Sequence, residues 1–264
     1  MQDNILHINE IFKSIDGEGA RTGQPSIFIR FSGCNLNCEY CDTKYALNGN
    51  QYDPKYTSIE RVIDKIISLS IPNKDIKYPD VVNNITITGG EPLLRQKEII
   101  EILNGLYDRP EYRFEINIET NGSINPDGFV YLYNQSKFSH LDKNDLFFTF
   151  DIKTMSAGAK ACDACVNDKG EPVFLYNATL SGSHKHKNVI KAVVGSKEDL
   201  DYILSIYDKF PNVRDYYDWY ISPVFGEIEA KDLVDYVLSH ESCNNWRVQV
   251  QLHKIIWNPN ERGV

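Results

Sequence analysis

The chain has 264 residues and a formal net charge of −9; 42% of its residues are hydrophobic and 25% are charged. This composition is that of a globular protein with a sizeable core, and it excludes global disorder. The acidic balance argues against a general binder of the nucleic-acid backbone, which needs a basic face. We see no apolar run long enough to cross a membrane and no signal peptide, so we expect a cytoplasmic protein with no membrane partner.

Apolar spacing predicts strands that alternate with helices along the chain. In chain order, the predicted elements are a strand at 25–31, a helix at 58–69, a strand at 84–88, a helix at 92–107, strands at 114–119, 146–150 and 189–194, a helix at 197–209, a strand at 219–221, a helix at 230–239 and a strand at 248–250. This alternation indicates an α/β fold with a parallel sheet, in the form of a full or partial (β/α) barrel. We expect one domain over 1–264. The polar segment 154–187 is long for a connection and is predicted to be an insertion or lid.

Unusual polar residues follow several of the predicted strands. Such residues are found at 34–41, 89–92, 119–122, 151–153 and 222–223. In a parallel barrel the functional site lies at the carboxyl ends of the strands. The sequence therefore predicts one site built from these strand ends.

Three cysteines lie close together after the first predicted strand: Cys34, Cys38 and Cys41. Three thiolates on one loop can bind one face of a cubic iron–sulfur cluster and leave one iron open. A structural zinc ion usually has four ligands, and no fourth cysteine or histidine lies nearby. The alternative is that the three cysteines are incidental.

The spacing of these cysteines, with Tyr40 before the third, resembles the cluster motif of radical S-adenosylmethionine enzymes. That resemblance implies a partial (β/α) barrel of this type, a [4Fe–4S] cluster on the three cysteines, and S-adenosylmethionine on the open iron. It also implies that a 5′-deoxyadenosyl radical performs the chemistry, with no catalytic side chain. The residues that it assigns to S-adenosylmethionine are Tyr40, Gly89, Gly90, Glu91, Glu119 and Asn121.

The segments that flank the cluster motif are more specific. The stretches 12–19, 23–25, 28–34 and 41–43, with 249–254 and 262–264 at the C-terminus, closely resemble the 7-carboxy-7-deazaguanine synthase family. Members of that family perform a step in the synthesis of queuosine and other 7-deazapurines. The resemblance implies ring contraction of 6-carboxy-5,6,7,8-tetrahydropterin to 7-carboxy-7-deazaguanine and ammonia, with help from magnesium. One departure is Asp16, where the family usually has glutamine.

The same resemblance assigns residues to the substrate and to magnesium. Thr43 is implied as the magnesium ligand, and the substrate contacts are Asp16, Gly17, Glu18, Arg30, Gly89, His253 and Val264. The chemistry agrees, because a carboxylate such as Glu18 accepts two N–H bonds and the arginine fork binds a carboxylate. The alternatives are an internal salt bridge for Arg30, a turn hydroxyl for Thr43 and a structural histidine for His253. Lys191 is a further candidate for the pocket, although a strand lysine is usually solvated.

The partners that the resemblance implies are a second copy of the chain in a homodimer and an electron donor such as flavodoxin or ferredoxin. The remaining cysteines carry less information. A zinc clip made by Cys162, Cys165, His184 and His186 is conceivable, but two ordinary loop thiols are favoured; Cys243 is predicted to be a packing residue. Two other functions stay open: an enzyme that installs a glycyl radical on a partner protein, and a non-catalytic zinc-binding module.

Overall fold

The chain is described here by a computed structural model that covers residues 6–71, 81–140, 145–176, 188–259 and 261–264. An eight-stranded sheet forms its centre, and the strands lie side by side in chain order. The strands are β1 (Ile8–Ile15), β2 (Pro25–Phe31), β3 (Asn84–Gly89), β4 (Glu115–Thr120), β5 (Asp145–Ile152), β6 (Val189–Val194), β7 (Asp218–Pro223) and β8 (Trp246–Val248).

The pairing of the strands confirms a partial barrel. β1 pairs with β2 antiparallel, and every later neighbour pairs parallel. Among the described residues, β1 and β8 each pair on one side only, so the sheet does not close. Sequential parallel strands joined by helices are the architecture of a (β/α) barrel.

Helices follow most of the parallel strands, as the apolar spacing predicts. They are α1 (Ile59–Ser70), α2 (Gln96–Tyr107), α3 (Asp127–Asn134), α4 (Ala159–Ala164), α5 (Lys197–Lys209), α6 (Pro211–Tyr216), α7 (Ala230–Ser239) and α8 (Leu252–Ile256). α1 begins at Ile59, and Ser58 is its N-cap, because the Ser58 hydroxyl accepts a hydrogen bond from the Arg61 N–H. The helix predicted at 92–107 is a 3₁₀ turn at Pro92–Arg95 followed by α2.

The sequence analysis missed β1. This strand is an edge strand whose burial does not alternate regularly, and its register with β2 shifts between Ile8 and Glu10. A shifted edge strand lacks the strict period of two that identifies a half-buried strand. The last strand, β8, lies two residues before its predicted position.

The two faces of the sheet differ in polarity. Apolar side chains such as Ile85 and Ile87 on β3 belong to the main core, which the helices cover. Alternate positions carry buried polar groups that bond to each other: Ser26 to Thr86 at 3.1 Å, and Thr149 to Asn117 at 3.0 Å. A polar inner face is unusual for a packed core and indicates that the interior binds something polar.

Arg21 occupies one end of this interior. Its guanidinium is fully buried, lies 3.2 Å from Asp16, and donates to the Ile85 carbonyl and the Thr86 hydroxyl. It also lies 5.4 Å from the centre of the Phe147 ring. Arg21 and its partners therefore occupy the interior beneath the site.

The segment predicted as an insertion joins β5 to β6. Its described part contains a 3₁₀ turn at Met155–Ala157, then α4, and a second 3₁₀ turn at Val173–Tyr176. Within the residues described, no helix is long and apolar enough to cross a membrane.

Candidate active site

A cavity of about 460 Å³ lies where the parallel strands end. That volume is in the range of small-molecule sites. The structure brings nearly all of the sequence-predicted residues to its wall. They are Asp16, Gly17, Glu18, Arg30, Cys34, Cys38, Tyr40, Cys41, Thr43, Gly89, Gly90, Glu119, Asn121, His253 and Val264.

The cysteine loop leaves β2 and is fixed by backbone hydrogen bonds. The N–H of Gly33 donates to the Ala46 carbonyl at 2.8 Å, and the N–H of Cys34 donates to the Leu47 carbonyl at 3.1 Å. Cys34, Cys38 and Cys41 are all free thiols, and burial raises the pKa of each. Metal binding would offset that burial effect, because a coordinated thiol is deprotonated.

The donor set fits an iron–sulfur cluster better than a single ion. Among the residues that can be described, no three cysteine, histidine or acidic side chains converge on one point as ligands of one metal ion. A [4Fe–4S] cluster instead takes each thiolate on a different iron, and three free thiols on the wall of one cavity supply that set.

Gly89 and Gly90 are required for a reason that the sequence did not show. A Cβ on Gly90 would lie 2.3 Å from the Gly33 carbonyl oxygen and 2.9 Å from Cys34 Cβ. A Cβ on Gly89 would lie 2.2 Å from the Phe31 carbonyl oxygen, and its φ is +144°. The two glycines therefore let the end of β3 pack directly against the start of the cysteine loop, while their backbone still lines the cavity.

Glu91 does not line the cavity, and its assignment as a cofactor contact stays a prediction. Its fully buried carboxylate accepts hydrogen bonds from the Leu93 N–H at 2.8 Å, the Thr120 hydroxyl at 2.8 Å and the Asn121 N–H at 2.7 Å. Burial raises the pKa of Glu91 to about 7, against the effect of these donors. The side chain thus joins the end of β3 to the end of β4 and positions Asn121.

Two buried polar atoms beside the cysteine loop lack a hydrogen-bond partner in the described part of the chain: the Tyr40 hydroxyl and Oδ1 of Asp151. Lys153 lies between them, with its Nζ 2.8 Å from Asp151 Oδ2 and 5.5 Å from the Tyr40 ring centre. Unpaired buried polar groups are costly, so they indicate a polar ligand at this place. The sequence analysis noted 151–153 as a polar strand end but assigned these residues no role.

An acidic and basic cluster lies deeper in the same cavity. Lys191 Nζ is 2.5 Å from Glu18 Oε2 and 3.6 Å from Asp151 Oδ2. The Ser222 hydroxyl lies 3.5 Å from Glu18 Oε1. Burial raises the pKa of the neighbouring Glu119. The solvated alternative for Lys191 is wrong, because its side chain is only 12% exposed.

The C-terminal segment reaches the cysteine loop through Asp42. The carboxylate of Asp42 accepts from the Thr43 hydroxyl at 2.9 Å, and its other oxygen lies 3.1 Å from Lys254 Nζ and 3.4 Å from His253 Nε2. Burial opposes ionisation, but His253, Lys254 and Thr43 outweigh it and hold the pKa of Asp42 well below its usual value. A Cβ on Gly17 would lie 2.6 Å from His253 Nδ1, so any side chain there would displace the His253 ring.

Arg30 forms the internal salt bridge that was its alternative interpretation, and it lines the cavity as well. Its Nε donates to Glu10 Oε1 at 2.7 Å, and the Tyr45 hydroxyl donates to the same oxygen at 2.8 Å. Arg262 lies 4.0 Å from the Tyr45 ring centre, near the chain end at Val264. Glu10, Tyr45 and Arg262 were not singled out by the sequence analysis.

The other cysteines lie away from the cavity wall. Cys165 is buried, and its thiol donates to the Asn121 carbonyl at 3.2 Å. Cys162 and Cys243 are buried as well, and Cys243 packs in the main core. The histidines of the conceivable zinc clip, His184 and His186, lie outside the described residues.

Known proteins resemble this chain in sequence and in fold. Residues 28–141 match the Radical SAM superfamily. A 7-carboxy-7-deazaguanine synthase of Clostridium acetobutylicum is 41% identical over 255 residues, which cover 97% of each chain. The synthase of the same name from Methanospirillum hungatei is 30% identical over 98% of this chain and 88% of its own length. The crystal structure of QueE from Escherichia coli matches the fold with a TM-score of 0.57 over 93% of each chain, at 20% identity.

The match to this superfamily implies a [4Fe–4S] cluster and S-adenosylmethionine as cofactors. The cysteine loop provides three thiols for the cluster, and the unpaired atoms of Tyr40 and Asp151 lie beside it. Similarity at 41% identity extends over nearly the whole chain, including the C-terminal segment that closes on Asp42. The chain therefore belongs to the 7-carboxy-7-deazaguanine synthase family, lyases of the radical S-adenosylmethionine superfamily.

Proposed function

We propose that this chain converts 6-carboxy-5,6,7,8-tetrahydropterin to 7-carboxy-7-deazaguanine and ammonia, as a step in queuosine or other 7-deazapurine synthesis. One observation carries the proposal beyond the name of the relatives: the three thiols and the buried Glu18–Lys191 pair face the same cavity. A cluster site and an acceptor for ring N–H groups are then close enough to act on one small molecule.

In this proposal Cys34, Cys38 and Cys41 hold the cluster. When bound, the cluster and S-adenosylmethionine supply a deoxyadenosyl radical that removes a hydrogen atom from the substrate. The residues proposed to hold S-adenosylmethionine are Tyr40, Asn121, Glu119 and the backbone of Gly89 and Gly90, all on the cavity wall. The unpaired Asp151 Oδ1 offers a further acceptor beside them.

The pterin ring is proposed to bind at the opposite side of the cavity. Glu18 accepts its N–H groups, and Asp16 and Gly17 lie on the same turn. Phe12 and Phe28 stack on each other 5.0 Å apart on the wall and give the ring an apolar surface. His253 and the C-terminal Val264 close the remaining side.

Arg30 and magnesium are proposed to hold the substrate carboxylate. Of the five N–H donors of the guanidinium, Glu10 takes one and keeps the group in a set orientation. The Thr43 hydroxyl donates a hydrogen bond to Asp42, so its oxygen lone pairs stay available for a cation. Magnesium prefers oxygen ligands and usually keeps several waters, which suits a single protein hydroxyl together with a carboxylate.

The proposal is tested by the product. The cluster-loaded protein is incubated anaerobically with the carboxypterin, S-adenosylmethionine, magnesium and a reductant, and the ultraviolet spectrum and mass of the product are measured. We expect a deazaguanine product that disappears in Cys38→Ala, together with the iron content. Absence of product from an iron-loaded protein that cleaves S-adenosylmethionine would favour the glycyl-radical alternative, and zinc without iron would favour the zinc module.

Further proposals concern the setting of the enzyme. We propose a homodimer, tested by light scattering after size exclusion, and an electron donor of the flavodoxin or ferredoxin type, tested by replacing the chemical reductant. We also propose a single domain over 1–264 that acts in the cytoplasm; the six free cysteines are typical of such a reducing compartment. The segment 154–187 is proposed as a lid, because Ala157 and Ala161 pack against Cys38.

A further inference from the structure

Lys191 is a buried cation that the proposed chemistry does not use. It lies on β6, and its ammonium contacts Glu18 at 2.5 Å and Asp151 at 3.6 Å. Burial would lower the pKa of Lys191, but Glu18, Asp151 and Glu119 outweigh that effect and raise it. The side chain is therefore protonated at neutral pH.

The hydrogen-bond capacity of Glu18 is half used in this arrangement. A carboxylate has about four lone-pair sites, two on each oxygen. Lys191 occupies one site on Oε2, and the Ser222 hydroxyl lies by one site on Oε1. One site on each oxygen is left, and Glu18 lines the cavity. Two parallel N–H donors on one ring edge match that remaining pair.

The other buried cations of the interior are already paired with acidic groups. The Arg21 guanidinium lies 3.2 Å from Asp16, and Lys153 lies 2.8 Å from Asp151. Glu119 and Asp16 are acidic and repel a second negative charge. Within the part of the chain that the structure describes, Lys191 is the one cation within 4 Å of the Glu18 carboxylate. Without it, the Glu18 carboxylate would be buried among acidic neighbours with no cation in contact.

We propose that Lys191 is a positioning residue that sets ring specificity. It keeps Glu18 an acceptor-only carboxylate. The cavity then selects a ring edge with two adjacent N–H donors over a ring edge with one donor and one acceptor. This inference rests on the proposed function, in which the ring is a pterin with a 2-amino group. The disfavoured edge belongs to the analogue that carries oxygen in place of that amino group. A neutral Glu18 would offer one donor and one acceptor and would suit the analogue.

The test compares two ligands on cluster-loaded protein. The Kd of the carboxypterin and of its 2-oxo analogue is measured by anaerobic equilibrium dialysis from pH 6 to 8, together with kcat/KM for each. In the unaltered chain we expect preference for the pterin with little pH dependence. In Lys191→Met we expect a loss of roughly 10- to 100-fold in pterin binding at pH 6.5, with recovery as the pH rises, and tighter binding of the analogue. Lys191→Arg should restore the preference for the pterin.

Two further variants separate positioning from packing. Ser222→Ala removes the uncharged partner of Glu18 and should leave the pH profile unchanged. Glu18→Gln, which mimics the neutral acid, should reverse the preference between the two rings, and adding Lys191→Met to it should change the ratio by less than about twofold. A Lys191→Met protein that keeps the ratio and pH profile of the unaltered chain overturns the inference. A chain that shows the Lys191 effect on Kd but forms no product overturns the proposed reaction alone.

Discussion

Several residues of the site hold other residues of the site in place. Glu91 holds Asn121 in place, and Gly90 lets β3 meet the cysteine loop. Asp42 orients the Thr43 hydroxyl and contacts Lys254. A sequence motif marks such residues as important, and their contacts show which neighbouring residues of the site they position.

The ionisation of Glu91 should be visible in stability. Burial raises its pKa to about 7 from an ordinary value of 4.5. The folded state therefore binds the proton more tightly than the unfolded state, and the stability that this proton supplies is present below pH 4.5 and lost as the pH rises towards 7 and above. The loss is about 3 kcal/mol.

Glu91→Gln removes this titration. The free energy of unfolding of both proteins is measured by urea denaturation. Relative to the variant, the unaltered chain should lose up to about 3 kcal/mol of stability between pH 4.5 and 7. A pH-independent difference would mean that Glu91 ionises in the folded state as it does in the unfolded chain.

Gly90→Ala should abolish cluster binding. The added Cβ would lie 2.3 Å from a backbone oxygen, so the cysteine loop must move. Iron content and the absorbance of the reconstituted protein are the readouts, and we expect at least a severalfold loss of both. Gly49→Ala is the control, because its Cβ would meet the end of the Arg95 side chain at 3.1 Å and the Gly33 backbone only at an ordinary contact distance of 3.8 Å. Equal iron in both variants would contradict the packing argument.

At the scale of elements, two segments distant in sequence from the cluster motif close over it. α8 contributes His253 and Lys254, which contact Asp42. The described part of the insertion packs Ala157 and Ala161 on Cys38, and the Ala157 carbonyl accepts from the Glu39 N–H at 3.1 Å. In both contacts, a segment that is distant in sequence packs on the loop that carries the cysteines.

Lys254→Met should loosen the C-terminal segment without removing the cluster. We expect the KM for the substrate to rise several-fold while iron content stays the same, because the ion pair with Asp42 is lost and the segment lining the cavity is less fixed. Steady-state kinetics and iron analysis measure the two effects. Lys231→Met breaks an exposed ion pair on α7 and should change neither. An unchanged KM in Lys254→Met would show that the contact does not close the site.

Ala161→Leu should weaken the cysteine loop through overpacking. Ala161 is 3% exposed and lies against Cys38. Extra methyl groups in a packed contact cost roughly 1–3 kcal/mol. We expect a lower Tm and faster loss of iron to a chelator, whereas Lys160→Leu on the exposed side of α4 should lose iron at the normal rate. Identical rates for both variants would argue against a role of the insertion in holding the cluster.

At the scale of the whole molecule, the net charge of the chain and the cations that line the cavity have different consequences for binding. The net charge of −9 disfavours binding to a polyanion, yet Arg30 and three lysines, Lys153, Lys191 and Lys254, line the cavity. Cations inside a cavity can thus bind a small carboxylate even though the chain as a whole is acidic.

This balance predicts no association with tRNA. In a gel-shift experiment at about 0.1 M salt, micromolar protein should leave tRNA free, because backbone binding needs a basic face that releases counterions. A shift that weakens with added salt would show a basic surface that the net charge conceals.

The sequence by itself determined the α/β alternation, the strand ends that carry the site, and the cluster chemistry of Cys34, Cys38 and Cys41. These features are local: apolar spacing sets the helices and strands, and three thiols on one short loop already limit the metal chemistry. The edge strand β1 escaped prediction, because its register shift removes the period of two.

Only the tertiary structure decided which of the predicted residues act together. The Glu18–Lys191 contact joins positions 173 residues apart, and Lys254 reaches Asp42 from the far end of the chain. The tertiary structure also shows that Glu91 does not line the cavity, that Gly90 packs against the cysteine loop and that Lys191 is buried. Such contacts depend on how the strands are placed around the barrel, because burial and charge pairing exist only between groups that folding brings together.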